Sequence, residues 1–155
     1  MVNNRAKAVL MGCFAIGVGA LVNYAGDRLL GVRLELFWGV STFSLIWAAD
    51  LFIVPFFAGL SVSMIYGLGG KLLCYFSPII VRGISYIQMS YYTEMPEGVV
   101  VLPFFYWILI LIVAIEAAAI GGVFGEILVK KTYGRRPKHL LYKRSSDGGA
   151  PGSKN

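Results

Sequence analysis

The sequence predicts an all-α integral membrane protein in which four transmembrane helices pack as one bundle. Hydrophobic residues make up 57% and charged residues 14% of the 155 positions, whereas a soluble domain carries about 25% charged residues. Apolar stretches long enough to cross a hydrocarbon core about 30 Å thick follow one another along the chain. We place the spans at residues 8–25, 36–66, 72–92 and 99–129 and treat residues 1–129 as one transmembrane domain, because a chain of this length builds one bundle.

The first span, residues 8–25, follows a basic N-terminal segment and contains a face of small residues. Ala15, Gly19 and Asn23 are spaced by four residues, so they lie on one side of a helix. Small residues let two helices approach closely, and an asparagine offers a hydrogen bond between them. The three residues therefore predict a helix-packing face. We expect Gly26 and Asp27 to open the following turn, because both residue types tolerate turn conformations.

The second span, residues 36–66, belongs to an apolar stretch that is too long for one upright helix. Pro55 lies inside it, and proline interrupts the hydrogen-bond ladder of a helix. We predict a long, tilted helix that is kinked near Pro55, with Asp50 close to the kink. A break with a re-entrant turn at Pro55 is the open alternative.

The third span, residues 72–92, is the least apolar, because it contains Pro78, Arg82 and Gly83. An amphipathic segment lying on the membrane surface is the alternative. Cytoplasmic loops carry an excess of Lys and Arg, and this rule decides between the two. Four spans place the basic N-terminus, Lys71 and the basic C-terminal tail on one side, whereas three spans would separate them.

The last span, residues 99–129, contains a second small-residue face. Ala117, Gly121 and Gly125 recur at intervals of four residues, and Glu116 adjoins them. Glu126 precedes Lys130 by four residues, which predicts an ion pair on the helix surface.

The chain after the last span is basic and then polar. We predict that the juxtamembrane segment 130–144 binds anionic lipid headgroups, at about 1 kcal/mol per basic residue near the surface. The Gly/Ser-rich segment 145–155 is predicted to be disordered. The basic residues are Lys130, Lys131, Arg135, Arg136, Lys138, Lys143 and Arg144.

Three ionisable residues lie in the central parts of apolar stretches: Asp50, Arg82 and Glu116. A charge at the centre of a bilayer costs about 2.5–3.5 kcal/mol on insertion scales, so it is usually paired. We predict that the three form an intramembrane charged cluster in which Arg82 pairs with Asp50 or Glu116. Three interpretations stay open: a proton- or cation-coupling site, an internal clamp that fixes helix register, and charges directed at a partner subunit.

Catalytic and metal-binding patterns are absent from the sequence. The one histidine, His139, lies in the polar tail, and the two cysteines, Cys13 and Cys74, are far apart. There is no glycine-rich phosphate loop and no Ser/His/Asp set. We therefore expect no enzyme activity, no metal, no cofactor and no nucleic-acid binding.

These patterns predict a non-catalytic integral membrane subunit or assembly partner of a larger membrane complex. It would dock through its small-residue faces and buried charges, with membrane lipids and other membrane subunits, or a second copy, as partners. The alternative is a small oligomeric proton- or cation-coupled transporter or channel that uses Asp50 or Glu116. We expect a bacterial inner membrane with both termini cytoplasmic, while an organellar inner membrane stays open.

Overall fold

Four apolar helical segments run up and down beside one another, which confirms the predicted fold class. The structure, a computed structural model, describes residues 2–91, 94–95 and 97–133. In this part of the chain, four helical segments are long and apolar enough to cross a membrane. The elements in chain order are α1 (Val2–Leu30), β1 (Leu36–Phe37), α2 (Leu45–Tyr66), α3 (Gly70–Leu73), α4 (Phe76–Tyr91), β2 (Val100–Val101) and α5 (Phe104–Tyr133).

The helix α2 is the centre of the bundle, because its most extensive contacts are with α5 and then with α1. It is one uninterrupted helix through the buried Pro55. The re-entrant alternative is therefore wrong, while the kink at Pro55 stays a prediction. Buried small and branched residues such as Ala58 and Val62 fill the space between the helices.

The helix of the second span begins later than predicted. Residues 36–37 form a strand, and α2 starts at Leu45, where the Ser44 side chain accepts a hydrogen bond from the Trp47 amide at 3.1 Å. This cap satisfies one of the free amides of the first turn. Gly39 has φ 74°, a left-handed conformation that ends regular structure before the helix.

The first helix ends later than predicted, at Leu30. Gly26 and Asp27 lie inside α1 and do not open a turn, so that prediction is wrong. Gly31 ends the helix with φ 64°, and its amide donates to the carbonyl of Asp27 at 3.0 Å. Gly26 is needed for packing, because a Cβ there would overlap the side chain of Val54.

The third span consists of two helices, α3 and α4, separated by a turn at residues 74–75. Pro78 explains the interruption: it has no amide hydrogen to offer the carbonyl of Cys74, and it is tolerated only in the first turn of α4. The buried thiol of Cys74 lies 3.1 Å from the carbonyl oxygen of Gly59 on α2 and so ties this turn to the bundle.

The two ends of the bundle differ in charge. At one end, which we call the basic end, the described basic residues are Lys7, Lys71, Lys130 and Lys131. At the other, the loop end, segments 31–44 and 97–103 meet, and β1 pairs antiparallel with β2 through Leu36 opposite Val101. This pairing was not predicted from the sequence, and it ties the first loop to the segment before α5.

Candidate functional site

Arg82 is buried at the loop end of the bundle and contacts three carboxylates in the described part of the chain. Its side chain is 1% exposed. The guanidinium lies 2.7 Å from Asp27 Oδ1, 3.4 Å from Glu35 Oε1 and 3.5 Å from Asp50 Oδ2. We call these four residues the Arg82 cluster. The planar guanidinium presents several donors at fixed angles, so one side chain serves several carboxylates.

Each carboxylate of the Arg82 cluster comes from a different element. Asp27 lies in the last turn of α1, Glu35 in the loop before β1, and Asp50 in the second turn of α2, while Arg82 itself lies on α4. The cluster therefore connects three helices and a loop at one level of the bundle. Glu35 and Asp50 are fully buried, and the Asp27 side chain is 16% exposed.

The cluster carries more negative than positive charge. Three ionised carboxylates around one guanidinium have a formal charge of −2, and buried charge that is not neutralised is costly. Glu35 is the one carboxylate of the cluster that lies outside the membrane-spanning segments. Burial raises the pKa of Glu35 above its usual value, and the nearby Arg82 opposes the shift only in part. The excess of negative charge favours the binding of a proton by the Arg82 cluster.

The predicted pairing of Arg82 with Asp50 or Glu116 is confirmed for Asp50, while the inclusion of Glu116 in the charged cluster is wrong. Arg82 does contact Asp50, whereas Glu116 is exposed on the surface of α5 and does not contribute to the Arg82 cluster. Asp27 and Glu35 were not predicted to belong to this cluster, and Asp27 was expected to open a turn instead. The sequence spacing could have predicted the position of Asp27, because Asp27 follows Asn23 by four residues and so continues the face of α1 that points into the bundle.

A crevice of about 250 Å³ lies beside the Arg82 cluster at the loop end. Asp27 and Glu35 line it, together with Tyr24, Arg33 and Gln88 among other residues. Two cluster carboxylates are therefore next to open space, whereas Asp50 lies behind them and is 0% exposed.

Glu116 lies in a wide apolar groove between α2 and α5. The groove has a volume of about 560 Å³, and Glu116 is the one charged residue of its lining. Among the described residues it has no ion pair or hydrogen-bond partner. We call this surface the α2–α5 groove; its lining is Phe52, Ile53, Phe56, Phe57, Ile112, Val113, Glu116, Ala117 and Ile120.

The small-residue face of the first helix packs inside the chain. Ala15 is fully buried, and a Cβ on Gly19 would lie 3.0 Å from the hydroxyl of Ser77. Asn23 donates a hydrogen bond from its side chain to Ser77 Oγ at 2.9 Å. This face joins α1 to α2 and α4 and leaves no small-residue surface there for another protein.

The small-residue face of the last helix packs against α2. A Cβ on Gly121 would overlap the carbonyl of Phe56, and one on Gly125 would lie 2.8 Å from the carbonyl oxygen of Leu60. Ala117 is 6% exposed. The backbones of α2 and α5 thus approach as closely as only small residues allow.

Glu126 has a different partner from the one predicted. Its carboxylate accepts hydrogen bonds from the amides of Gly69 at 2.9 Å and Lys71 at 3.1 Å, and it is 9% exposed. The predicted ion pair with Lys130 is therefore wrong. Glu126 ties α5 to the turn before α3 by satisfying amides that have no helical partner.

The lipid-binding prediction falls partly outside the described residues. Lys130 and Lys131 are exposed on the last turns of α5. The remaining basic residues, Arg135, Arg136, Lys138, Lys143 and Arg144, and the segment 145–155 lie outside the described part of the chain. Within that part, no group of three or more His, Cys, Asp or Glu residues is arranged to hold a metal ion.

Comparison with known protein families, curated proteins and solved structures finds no match to this chain. Its class therefore rests on the fold and the charged residues alone. The chain is a small four-helix membrane protein with a buried arginine–carboxylate cluster at one end and a carboxylate exposed midway along its last helix.

Proposed function

We propose that this protein is a non-catalytic integral membrane subunit that holds another membrane protein through the α2–α5 groove. The observation that carries the proposal is the exposed Glu116. In a bilayer this carboxylate faces hydrocarbon, at a cost of about 2.5–3.5 kcal/mol on insertion scales. A partner that covers the groove and supplies a polar group removes that cost.

The docking surface differs from the one that the sequence predicts. The faces at Ala15/Gly19 and Ala117/Gly121/Gly125 already pack within the chain. What the bundle leaves exposed beside its central α2–α5 contact is an aromatic, concave surface. Concave apolar surface with one polar group is typical of recognition sites.

A matched pair of substitutions tests the docking surface. Ile120 lines the groove, and Ile84 is exposed on α4, away from it. Ile120→Trp fills the groove, whereas Ile84→Trp adds the same bulk elsewhere on the lipid-facing surface. A tagged copy is purified from host membranes in mild detergent, and the ratio of co-purified proteins is measured by mass spectrometry.

We expect the wild type and Ile84→Trp to retain a second membrane protein at a fixed ratio. In Ile120→Trp the amount of co-purified partner should fall at least tenfold. Purification of the chain without a stoichiometric partner, or equal retention by both variants, contradicts the proposal.

For location we propose a bacterial inner membrane with the basic end cytoplasmic, because Lys7, Lys71, Lys130 and Lys131 lie at that end.

A second candidate is a small oligomeric proton- or cation-coupled transporter, and the Arg82 cluster favours it. The carboxylates of Asp27 and Asp50 both contact the same nitrogen of Arg82, Nη2, at 2.7 Å and 3.5 Å. Two carboxylates held at one site repel each other, and a proton on one of them relieves the repulsion. A proton that enters from the crevice would thus have a place to bind.

Flux into liposomes tests this candidate. A transporter that couples through Asp50 or Glu116 loses proton flux in Asp50→Asn or Glu116→Gln, while Ile84→Trp keeps it. Absence of flux in wild-type liposomes contradicts the transporter.

A further inference from the structure

Glu116 is placed at the centre of the bilayer by its position on α5. The helix has 30 residues, and Glu116 is 12 residues after Phe104. At a rise of about 1.5 Å per residue, it lies about 18 Å along a helix about 45 Å long. The side chain is exposed, and the groove around it is apolar. A carboxylate at this depth has neither water nor headgroups within easy reach.

The described residues contain no free cation at the same depth. Arg82 is held by its own three carboxylates. Lys130 follows Glu116 by 14 residues, which is about 21 Å along the helix, and Lys71 lies at the basic end with it. The described part of a second copy of this chain therefore brings no basic group to Glu116, and across a symmetric contact it brings a second Glu116.

The groove itself favours a cation. The side chains of Phe52, Phe56 and Phe57 line it on the α2 side, and Glu116 lies on the α5 side. The face of an aromatic ring attracts an ammonium or guanidinium group, and away from water the attraction reaches about 2 kcal/mol. A carboxylate beside aromatic rings thus favours the binding of an apolar molecule or helix that carries one positive charge.

We propose that the α2–α5 groove binds a transmembrane helix of another protein that carries a lysine or arginine near the centre of the bilayer. The basic side chain pairs with Glu116, and the rest of the partner helix packs over the phenylalanine rings. Both charges are costly in lipid when alone and are neutralised together. This inference rests on the proposed function and specifies the chemistry of the partner.

The test uses designed helices of known sequence in place of the unknown partner. A leucine-rich transmembrane peptide with one central lysine, and the same peptide with leucine at that position, are labelled with an acceptor dye. The full-length protein carries a donor dye on a C-terminal tag, and energy transfer is titrated in phosphatidylcholine liposomes.

We expect the lysine peptide to bind at least tenfold more tightly than the leucine peptide. Glu116→Gln should remove the preference, Glu116→Asp should keep most of it, and Ile84→Trp should leave it unchanged. Equal binding of the two peptides to the wild type overturns the inference.

Two further outcomes overturn it in favour of other occupants. Energy transfer between two differently labelled copies of the chain, lost in Glu116→Gln, would assign the groove to a second copy. Binding of tetraphenylphosphonium at Glu116 without any preference for the lysine peptide would assign it to small lipophilic cations.

The inference and the proposed function fail separately. If a native partner is lost in Ile120→Trp but held fully by Glu116→Gln, the subunit function stands and the charge pairing is wrong. If no native partner is found while the lysine peptide still binds through Glu116, the groove has the inferred chemistry and the subunit function is wrong.

Discussion

Arg82 organises the loop end of the bundle through charge. It gathers carboxylates from α1, from the loop before β1 and from α2, and it is itself almost completely buried. Removing one partner from a buried ionic group leaves uncompensated charge behind, which typically costs about 3–5 kcal/mol. Here the loss of one cation leaves three carboxylates without their counter-charge.

We therefore predict that Arg82→Gln lowers the free energy of unfolding by about 3–5 kcal/mol. Arg28→Gln is the matched control, because Arg28 is exposed and contacts only Tyr24 among the described residues; it should change the free energy by less than about 0.5 kcal/mol. Unfolding in mixed detergent micelles, followed by circular dichroism, measures both. The double variant Arg82→Gln/Asp50→Asn should recover part of the loss, and no recovery would show that Asp50 is not coupled to Arg82.

Glu35 gives a pH dependence with a definite sign. Burial raises its pKa above the usual 4.5, so the folded state holds this proton more tightly than the unfolded state does. The stabilisation by the proton is complete below the unfolded pKa and is lost as the pH rises through the folded pKa. We predict that, as the pH rises above about 4.5, the wild type loses thermal stability relative to Glu35→Gln. The opposite slope of this difference would mean that Arg82 outweighs burial at this position.

At the residue scale, the sequence shows which groups are costly but not all of their partners. Asp50 and Arg82 stand out because each interrupts an apolar stretch. Asp27 adjoins Arg28, and Glu35 lies two residues after Arg33, in a segment that looks like an ordinary polar loop. Their roles depend on α1 continuing to Leu30 and on the loop folding inward, and neither is encoded in local hydropathy.

At the scale of elements, the crossing of α2 and α5 is set by two glycines, Gly59 and Gly121, each of which faces the backbone of the other helix. A Cβ on Gly59 would overlap the carbonyl of Ala118, and one on Gly121 would overlap the carbonyl of Phe56. Each glycine thus allows the partner helix to approach to backbone contact. The spacing of Gly121 and Gly125 predicted a packing face, but which helix it meets follows only from the folded chain.

We predict that Gly121→Ala destabilises the bundle by about 1–3 kcal/mol or more, because a rigid backbone carbonyl occupies the space that the methyl group needs. Gly17→Ala is the matched control: nothing lies within 4 Å of its Cβ position. Gly17 is also within a helix, where alanine is favoured over glycine by up to about 1 kcal/mol. Thermal unfolding in detergent should therefore separate the two variants in opposite directions. Equal effects would mean that helix propensity, and not the α2–α5 approach, decides the outcome.

At the scale of the whole molecule, the number of spans follows from the sequence because lipid imposes strong rules on length and charge. Four spans were needed to bring the basic segments to one side, and the described helices agree with that number. The strand pair at the loop end could not be predicted from the sequence. Its bonds join Leu36 to Val101, and two-residue strands carry no periodicity that a sequence can show.

We predict that the two ends of the bundle face opposite sides of the membrane, with the basic end cytoplasmic. In a Cys13→Ser background, a cysteine in place of the exposed Ser41 should react with an impermeant maleimide in spheroplasts. A cysteine in place of Lys71 should react only after the membrane is opened. Cys74 is buried and should stay unlabelled in both. Labelling of Lys71→Cys from outside would reverse the assigned orientation.

The residues of the Arg82 cluster are synthesised in a definite order. All three carboxylates precede Arg82 in the chain, so a ribosome releases Asp27, Glu35 and Asp50 before the arginine exists. The span that carries Arg82 has the lowest mean hydropathy of the four. Alone at the translocon it is the weakest candidate for insertion, but it arrives beside helices that already display the charges it neutralises. We therefore expect α1, α2 and the loop between them to assist the insertion of α4 by neutralising Arg82, before α5 completes the bundle.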